Sequence, residues 1–184
     1  MEGVFSWKTN QGPVSLSKQE LVDCGSTRGC DGGATFMALE YIRVNGICKT
    51  QDFGYRFERQ ATYCFGHRHN VLDFLYLFGD RFNYPHFFQN AFEYNRLEKN
   101  ANAKTIMEVI EQYGPISVTL SVGKEFNDYD KYWALSSSDV QVSGGTKHSV
   151  VVVGYGEPDY YRKPYWIIRN SYGPGKCKFH CESV

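Results

Sequence analysis

Seven residues, Ile116 to Val122, alternate apolar side chains (Ile116, Val118, Leu120, Val122) with hydroxyl-bearing ones (Ser117, Thr119, Ser121). Successive side chains of a strand point to opposite faces, so this run predicts a β-strand with one buried and one wetted face. Two more short apolar segments, Val150–Val153 and Tyr165–Ile168, flank a stretch rich in turn residues and predict an antiparallel pair. The pattern before residue 100 is different. Ser17 and Glu20 have the spacing of a capping box and open a short helix through Leu21 and Val22. Residues 34 to 45 place Ala34, Phe36, Met37, Leu39, Tyr41 and Ile42 on a wide apolar surface, with Asn45 and Gly46 as a left-handed stop. Ile106, Val109, Ile110 and Tyr113 then recur at helical spacing before Gly114-Pro115. A helical first part followed by a strand-rich second part predicts an α+β chain in two lobes, helical over 1–90 and β-rich over 91–184, with the boundary between residues 80 and 102. The aromatic-rich stretch over 49–95 (Phe74, Tyr76, Phe78, Phe82, Tyr84, Phe87, Phe88) has no clear period and reads as packed loops.

Charge and hydropathy narrow the function classes. Twenty basic residues balance twenty acidic ones, so no positive field gathers for nucleic acid or an anionic membrane. The longest apolar run, around Ser149–Val153, is far short of the roughly 18 residues that a membrane-spanning helix needs. Residues 1 to 7 lack the basic start and long apolar stretch of a secretory signal, so either the start is missing or the protein is not exported. Six cysteines (Cys24, Cys30, Cys48, Cys64, Cys177, Cys181) at irregular spacings favour disulfides in an oxidising compartment over a zinc site. The cluster Cys177, His180, Cys181 lacks the paired short spacings of a closed zinc site. No metal and no other cofactor is expected, and the sequence leaves the oligomeric state open.

The candidate chemistry lies on the two later strands. If they form a hairpin centred near Asp159, His148 and Asn170 are each eleven positions from its middle and face each other across the ladder. A carboxamide oxygen accepting a hydrogen bond from one imidazole nitrogen fixes the tautomer and directs the other nitrogen to a nucleophile. On symmetry alone, a surface or capping role for either residue stays open.

Several segments in order resemble the papain-like cysteine peptidases. Leu16 to Cys24 (LSKQELVDC) resembles the family's stretch leading into a structural cysteine, and Gly29 to Gly33 (GCDGG) its glycine-rich substrate-binding strand. Tyr113 to Val118 (YGPISV) resembles the strand opening the second lobe. Lys147 to Val150 (KHSV) with Val153 to Gly156 (VGYG) resembles the catalytic-histidine strand, and Tyr165 to Gly173 (YWIIRNSYG) the catalytic-asparagine strand. The resemblance implies a two-lobed papain-like fold and peptide-bond hydrolysis through a Cys-His-Asn triad, without cofactor, on a peptide or protein substrate, in a lysosomal or secreted setting. It makes His148 the base, Asn170 its orienting partner, and Gly32 and Gly33 the binders of substrate backbone. Ala34, Thr35 and Ser149 would line the pocket for the second substrate side chain before the cut. Tyr172 would stand in for the tryptophan that shields the His-Asn bond, and Cys24 with Cys64 would form a family disulfide.

The departures lie around that site. The nucleophile belongs to a C-G-S-C-W type motif roughly 130 to 150 residues before the histidine, and no cysteine stands there; Cys24 sits in the structural context instead. The motif is expected upstream of Met1, together with the oxyanion-stabilising glutamine, which makes the chain a fragment, inactive alone and marginal in folding. The alternative is a non-catalytic papain-fold protein that keeps the peptide cleft. Lys147 replaces the usual acidic residue before the histidine, and a cation there would disfavour the imidazolium. The ending after Gly173 does not resemble the family's, and a pairing of Cys30 with Cys48 is a guess.

Overall fold

The structure, a computed structural model, describes residues 1–25, 28–56, 58–59, 96–97, 101–129, 135, 143–156 and 163–171, except for the side chains of residues 7 and 8. The aromatic run from Phe74 to Phe88, Asp159, Cys64, Tyr172, Cys177, His180 and Cys181 lie outside the described residues. The chain divides into two compact units, Met1–Arg96 and Leu97–Val184.

Among the described residues of the first unit the helices are α1 (Glu2–Thr9), α2 (Lys18–Asp23) and α3 (Thr35–Asn45), with a 3-10 turn over Gly29–Asp31. Ser17 caps α2 as its spacing predicts, its hydroxyl accepting from the Glu20 N–H at 3.1 Å. The reciprocal half of the box does not form. The Ser17 N–H donates to the Cys48 carbonyl at 2.9 Å, and the Glu20 carboxylate turns inward to accept from the Cys48 N–H at 2.7 Å and the Tyr41 hydroxyl at 3.1 Å. A long-range strand-like contact, with Leu16 bridging Lys49, has taken over that donor. Gly46 ends α3 at φ 75°, returning its N–H to the Ile42 carbonyl, a left-handed conformation that glycine adopts without strain. Of the expected apolar surface of α3, Tyr41 and Ile42 are buried with Leu16 and Ile47, whereas Phe36 stays 60% exposed. Burial is concentrated at the carboxyl end of the helix.

The interior of this unit is also polar. Ser17, Gln19, Glu20 and Asp23 are all buried. Their side chains hold the main chain of the following segment: Ser17 donates to the Phe53 carbonyl at 2.7 Å, and Gln19 donates to the Glu58 carbonyl at 2.7 Å while accepting from the Arg56 N–H at 2.8 Å. Buried backbone groups need partners, and here α2 supplies them.

The second unit opens with α4 (Ala103–Tyr113), followed by β1 (Ile116–Val122), the short α5 (Lys124–Asn127), β2 (Thr146–Gly156) and β3 (Tyr165–Arg169). Asn102 caps α4, accepting from the Thr105 N–H at 2.9 Å, and Gly114 closes it at φ 89°. The strands form an antiparallel sheet in the order β1-β2-β3. The alternation in β1 sets the sheet's faces. Val122, Val150, Val152 and Ile168 are buried with Phe126 on one side, and Ser117, Thr119, Lys147 and Ser149 are exposed on the other. Helices followed by an antiparallel sheet make an α+β chain.

Candidate active site

His148 lies on the core face of β2, two positions before the buried Val150, and Asn170 follows directly after the last residue of β3. Their meeting differs from the one the sequence predicts. The ladder pairs Val152 with Ile168 and Val151 with Arg169, so it is centred on position 160, one residue later than Asp159, and an irregularity between Val152 and Gly154 shifts the far half again. One step beyond the last pair, Asn170 falls beside Val150, and His148 is its diagonal neighbour. Diagonal side chains on one face stay within reach when one of them is long or aromatic. The imidazole makes up the distance: His148 Nε2 and Asn170 Oδ1 are 2.8 Å apart.

The main chain settles which atoms meet. Asn170 Oδ1 also accepts from the N–H of Ser171 at 2.7 Å. A backbone N–H only donates, so the carboxamide atom it faces is the oxygen, and Nε2 of His148 must carry the proton that completes the other bond. The basic lone pair of the ring therefore resides on Nδ1. Phe126 of α5 stands edge-on to the imidazole, ring centroids 5.8 Å apart at 63°, which restricts its rotation. Sequence reasoning missed Ser171 and Phe126. An apolar aromatic within reach of the strand end that precedes it was the available signal for Phe126, and none was available for Ser171.

Lys147 points to the other face of β2, where its ammonium donates to the Ser121 hydroxyl. Ser149 shares that face, exposed, beside its cross-strand partner Thr119. Of the other expected site residues, Tyr172 lies outside the described residues, and the rest belong to the first unit. Gly32 has φ 91°, and a Cβ built there meets nothing within 4 Å, so the backbone conformation and not crowding calls for glycine. Gly33 is exposed, and Ala34 and Thr35, at the start of α3, are half-buried. Cys24 is disulfide-bonded, and Cys64, the partner that the resemblance implies, lies outside the described residues. The guessed pairing of Cys30 with Cys48 is overturned. Neither takes part in a disulfide: Cys30 is exposed on its turn and Cys48 is buried against Glu20. Burial, then the nearby Glu20 carboxylate, push the Cys48 thiol far above the ordinary thiol range. Among the described residues, no group of three His, Cys, Asp or Glu side chains is placed to hold a metal ion, and no helix is long and apolar enough to cross a membrane.

The family model described as papain family cysteine protease matches residues 1–177. The chain belongs to the papain family of cysteine proteases. Among curated papain-family relatives, a KDEL-tailed cysteine endopeptidase of Arabidopsis thaliana is 33% identical over 176 residues, which are 94% of this chain and 42% of that protein. Procathepsin L of Mus musculus is 28% identical over 181 residues, 94% of this chain and 47% of the relative. The chain thus spans less than half the length of these relatives. The solved structure of a Carica candamarcensis cysteine protease in complex with E-64 superposes with a TM-score of 0.67 at 25% identity, covering 96% of this chain and 70% of that one. The papain-like fold follows from these matches.

Proposed function

We propose that this chain carries the base and orienting carboxamide of a papain-type peptidase site, in a protein that hydrolyses peptide bonds once a thiolate faces His148 Nδ1. The observation that carries the reading is the Nε2 to Oδ1 bond of 2.8 Å with its carboxamide held by the Ser171 N–H. In such a reaction the imidazole takes the thiol proton, the sulfur attacks the scissile carbonyl, and His148 returns the proton to the departing amine. Water then releases the acyl group from sulfur. No metal or organic cofactor enters these steps. Gly32 and Gly33 hold substrate backbone, with Gly33 free of a side chain that would keep an extended peptide away. Ala34 and Thr35, and separately Ser149, take the side-chain-binding roles that family membership gives them, and Tyr172 the shielding role. Cys24 pairs with Cys64. An oxidising compartment, lysosomal or secreted, fits that disulfide and the relatives, which include procathepsins and a KDEL-tailed endopeptidase.

None of the six cysteines stands in the nucleophile's context, so the 184 residues alone are expected to be inactive. This same observation supports a second reading, a non-catalytic papain-fold protein that binds peptides. A biotinylated epoxide of the E-64 type, applied to the native protein, separates the two. Labelling at a cysteine outside these six, lost on His148→Ala, supports the peptidase. Native protein that resists the probe yet binds peptide supports the second reading. Neither labelling nor peptide binding defeats both.

A further inference from the structure

Glycine gives up more conformational freedom on ordering than any other residue, so a glycine-rich segment needs support from outside itself. Gly25, Gly29, Gly32 and Gly33 crowd the approach to α3, and Cys30 to Gly33 are exposed. The main chain there closes on itself through the Arg28 N–H to the Gly32 carbonyl at 3.0 Å, with longer bonds from Asp31 to Arg28 at 3.3 Å and from Gly32 to Gly29 at 3.2 Å. The outside support meets Gly29. A Cβ placed on this residue, at φ 64°, would lie 3.1 Å from the Val22 carbonyl oxygen of α2, 2.6 Å from Cδ of Arg59 and 3.2 Å from its Nε. Gly29 therefore fits a slot that α2 and the Arg59 side chain line together. Arg59 is brought there by the segment before it, because the buried Gln19 of α2 donates to the Glu58 carbonyl at 2.7 Å and accepts from the Arg56 N–H at 2.8 Å. Gln19 and Val22 are about one helical turn apart, so the same helix fixes both walls of the slot.

We infer that Arg59 is a positioning residue for the glycine strand: its side chain, anchored through Gln19, pins Gly29 against α2 and holds Gly32 and Gly33 ready for an extended peptide. This rests on the reading of Gly32 and Gly33 as binders of substrate backbone. A peptide that adds as a strand gains from main-chain hydrogen bonds, and it binds more tightly when the receiving strand is already in place. Gly32 and Gly33 have no side chains with which to hold themselves there. Pinning the turn at Gly29 removes part of the ordering cost before the peptide arrives. The unbranched stem of Arg59 does this, since Cδ is the atom nearest the Gly29 position. The guanidinium charge is not required for it.

The test uses the full 184-residue chain, its Arg59→Ala and Arg59→Met variants, and a fluorescein-labelled alanine peptide that offers main chain and little else. Binding is read by anisotropy and located by amide NMR shifts, and hydrogen exchange follows the Gly32 and Gly33 amides with and without peptide. Arg59→Ala is expected to weaken binding about fivefold, the equivalent of ordering roughly one glycine, and to speed exchange at Gly32 and Gly33 in the free protein by a similar factor. Saturating peptide should return both amides to the same protection in the two proteins. Arg59→Met, which keeps the stem and drops the charge, should restore most of the affinity. Arg59 is exposed, so neither variant should move the urea midpoint or exchange in α3. Unchanged affinity or unchanged Gly32 and Gly33 exchange in Arg59→Ala overturns the inference, and so does an Arg59→Met variant as weak as Arg59→Ala, which would make the arginine a charge contact. A fall in the urea midpoint that accounts for the lost affinity overturns it as well. If the unsubstituted chain binds no peptide, or the shifts lie away from Gly32 and Gly33, the reading of those glycines falls first and the role of Arg59 with it.

Discussion

The two units bury different chemistry. In the first, the fully buried side chains include Ser17, Gln19 and Glu20, and the 48–58 segment is held to α2 by hydrogen bonds from those side chains to its main chain. In the second, the buried cluster is Val122, Phe126, Val150, Val152 and Ile168, and the polar groups stand at its edge or on the opposite face. A polar interior specifies one placement of a loop because each donor has one acceptor, whereas an apolar sheet face specifies register through alternation. The difference decides where tolerance lies. The second unit should accept conservative apolar swaps, and the first should accept almost nothing at Glu20.

Glu20→Ala is the sharpest way to break that contrast. It strands the Cys48 N–H and the Tyr41 hydroxyl in a buried site and leaves a cavity, and should cost about 4 kcal/mol. Urea denaturation followed by hydrogen exchange in 15–25 and 41–50 checks it, and a loss under about 1 kcal/mol would end the picture of a hydrogen-bonded interior. Ile168→Ala should cost about 3 kcal/mol, read by exchange of the β1–β3 amides, while Ile168→Val stays near 1 kcal/mol.

Cys48 gives a pH handle on the first unit alone. Its folded pKa is raised by burial and Glu20, so the native thiol keeps its proton after the unfolded one has lost it. Its stabilising contribution is full below about pH 8.5 and falls by about 1.4 kcal/mol per pH unit above that. Cys48→Ala should lack that extra slope in denaturation measured from pH 8 to 10. The two caps give a paired comparison. Ser17→Ala, which loses both the helix cap and the bond to Phe53, should cost about 1.5 kcal/mol, against about 0.5 kcal/mol for the exposed Asn102→Ala. Equal losses would mean that burial of the Ser17 hydroxyl adds nothing.

What could be read in advance follows the same division. Alternation in Ile116–Val122 and the helical spacing before Gly114 placed β1 and α4, because local pattern and burial agree there. The partnership of His148 with Asn170 was legible from the strand pattern, but the ladder was not, since an extra residue at Val153 leaves no mark on hydrophobicity. Ser17 was recognisable as a cap, yet the destination of Glu20 depended on Cys48 and Tyr41, which are remote in sequence and met only after folding. Asn102, directly before an amphipathic helix, was a cap signal left unread.

The irregularity at Val153 has one more effect. It absorbs the odd residue between the two halves of the β2–β3 ladder, so the phase of the half that carries His148 and Asn170 is governed by Val150, Val152 and Ile168. Insertions or deletions between Gly156 and Tyr165 can therefore accumulate among descendants of this sequence without pulling the imidazole away from its carboxamide.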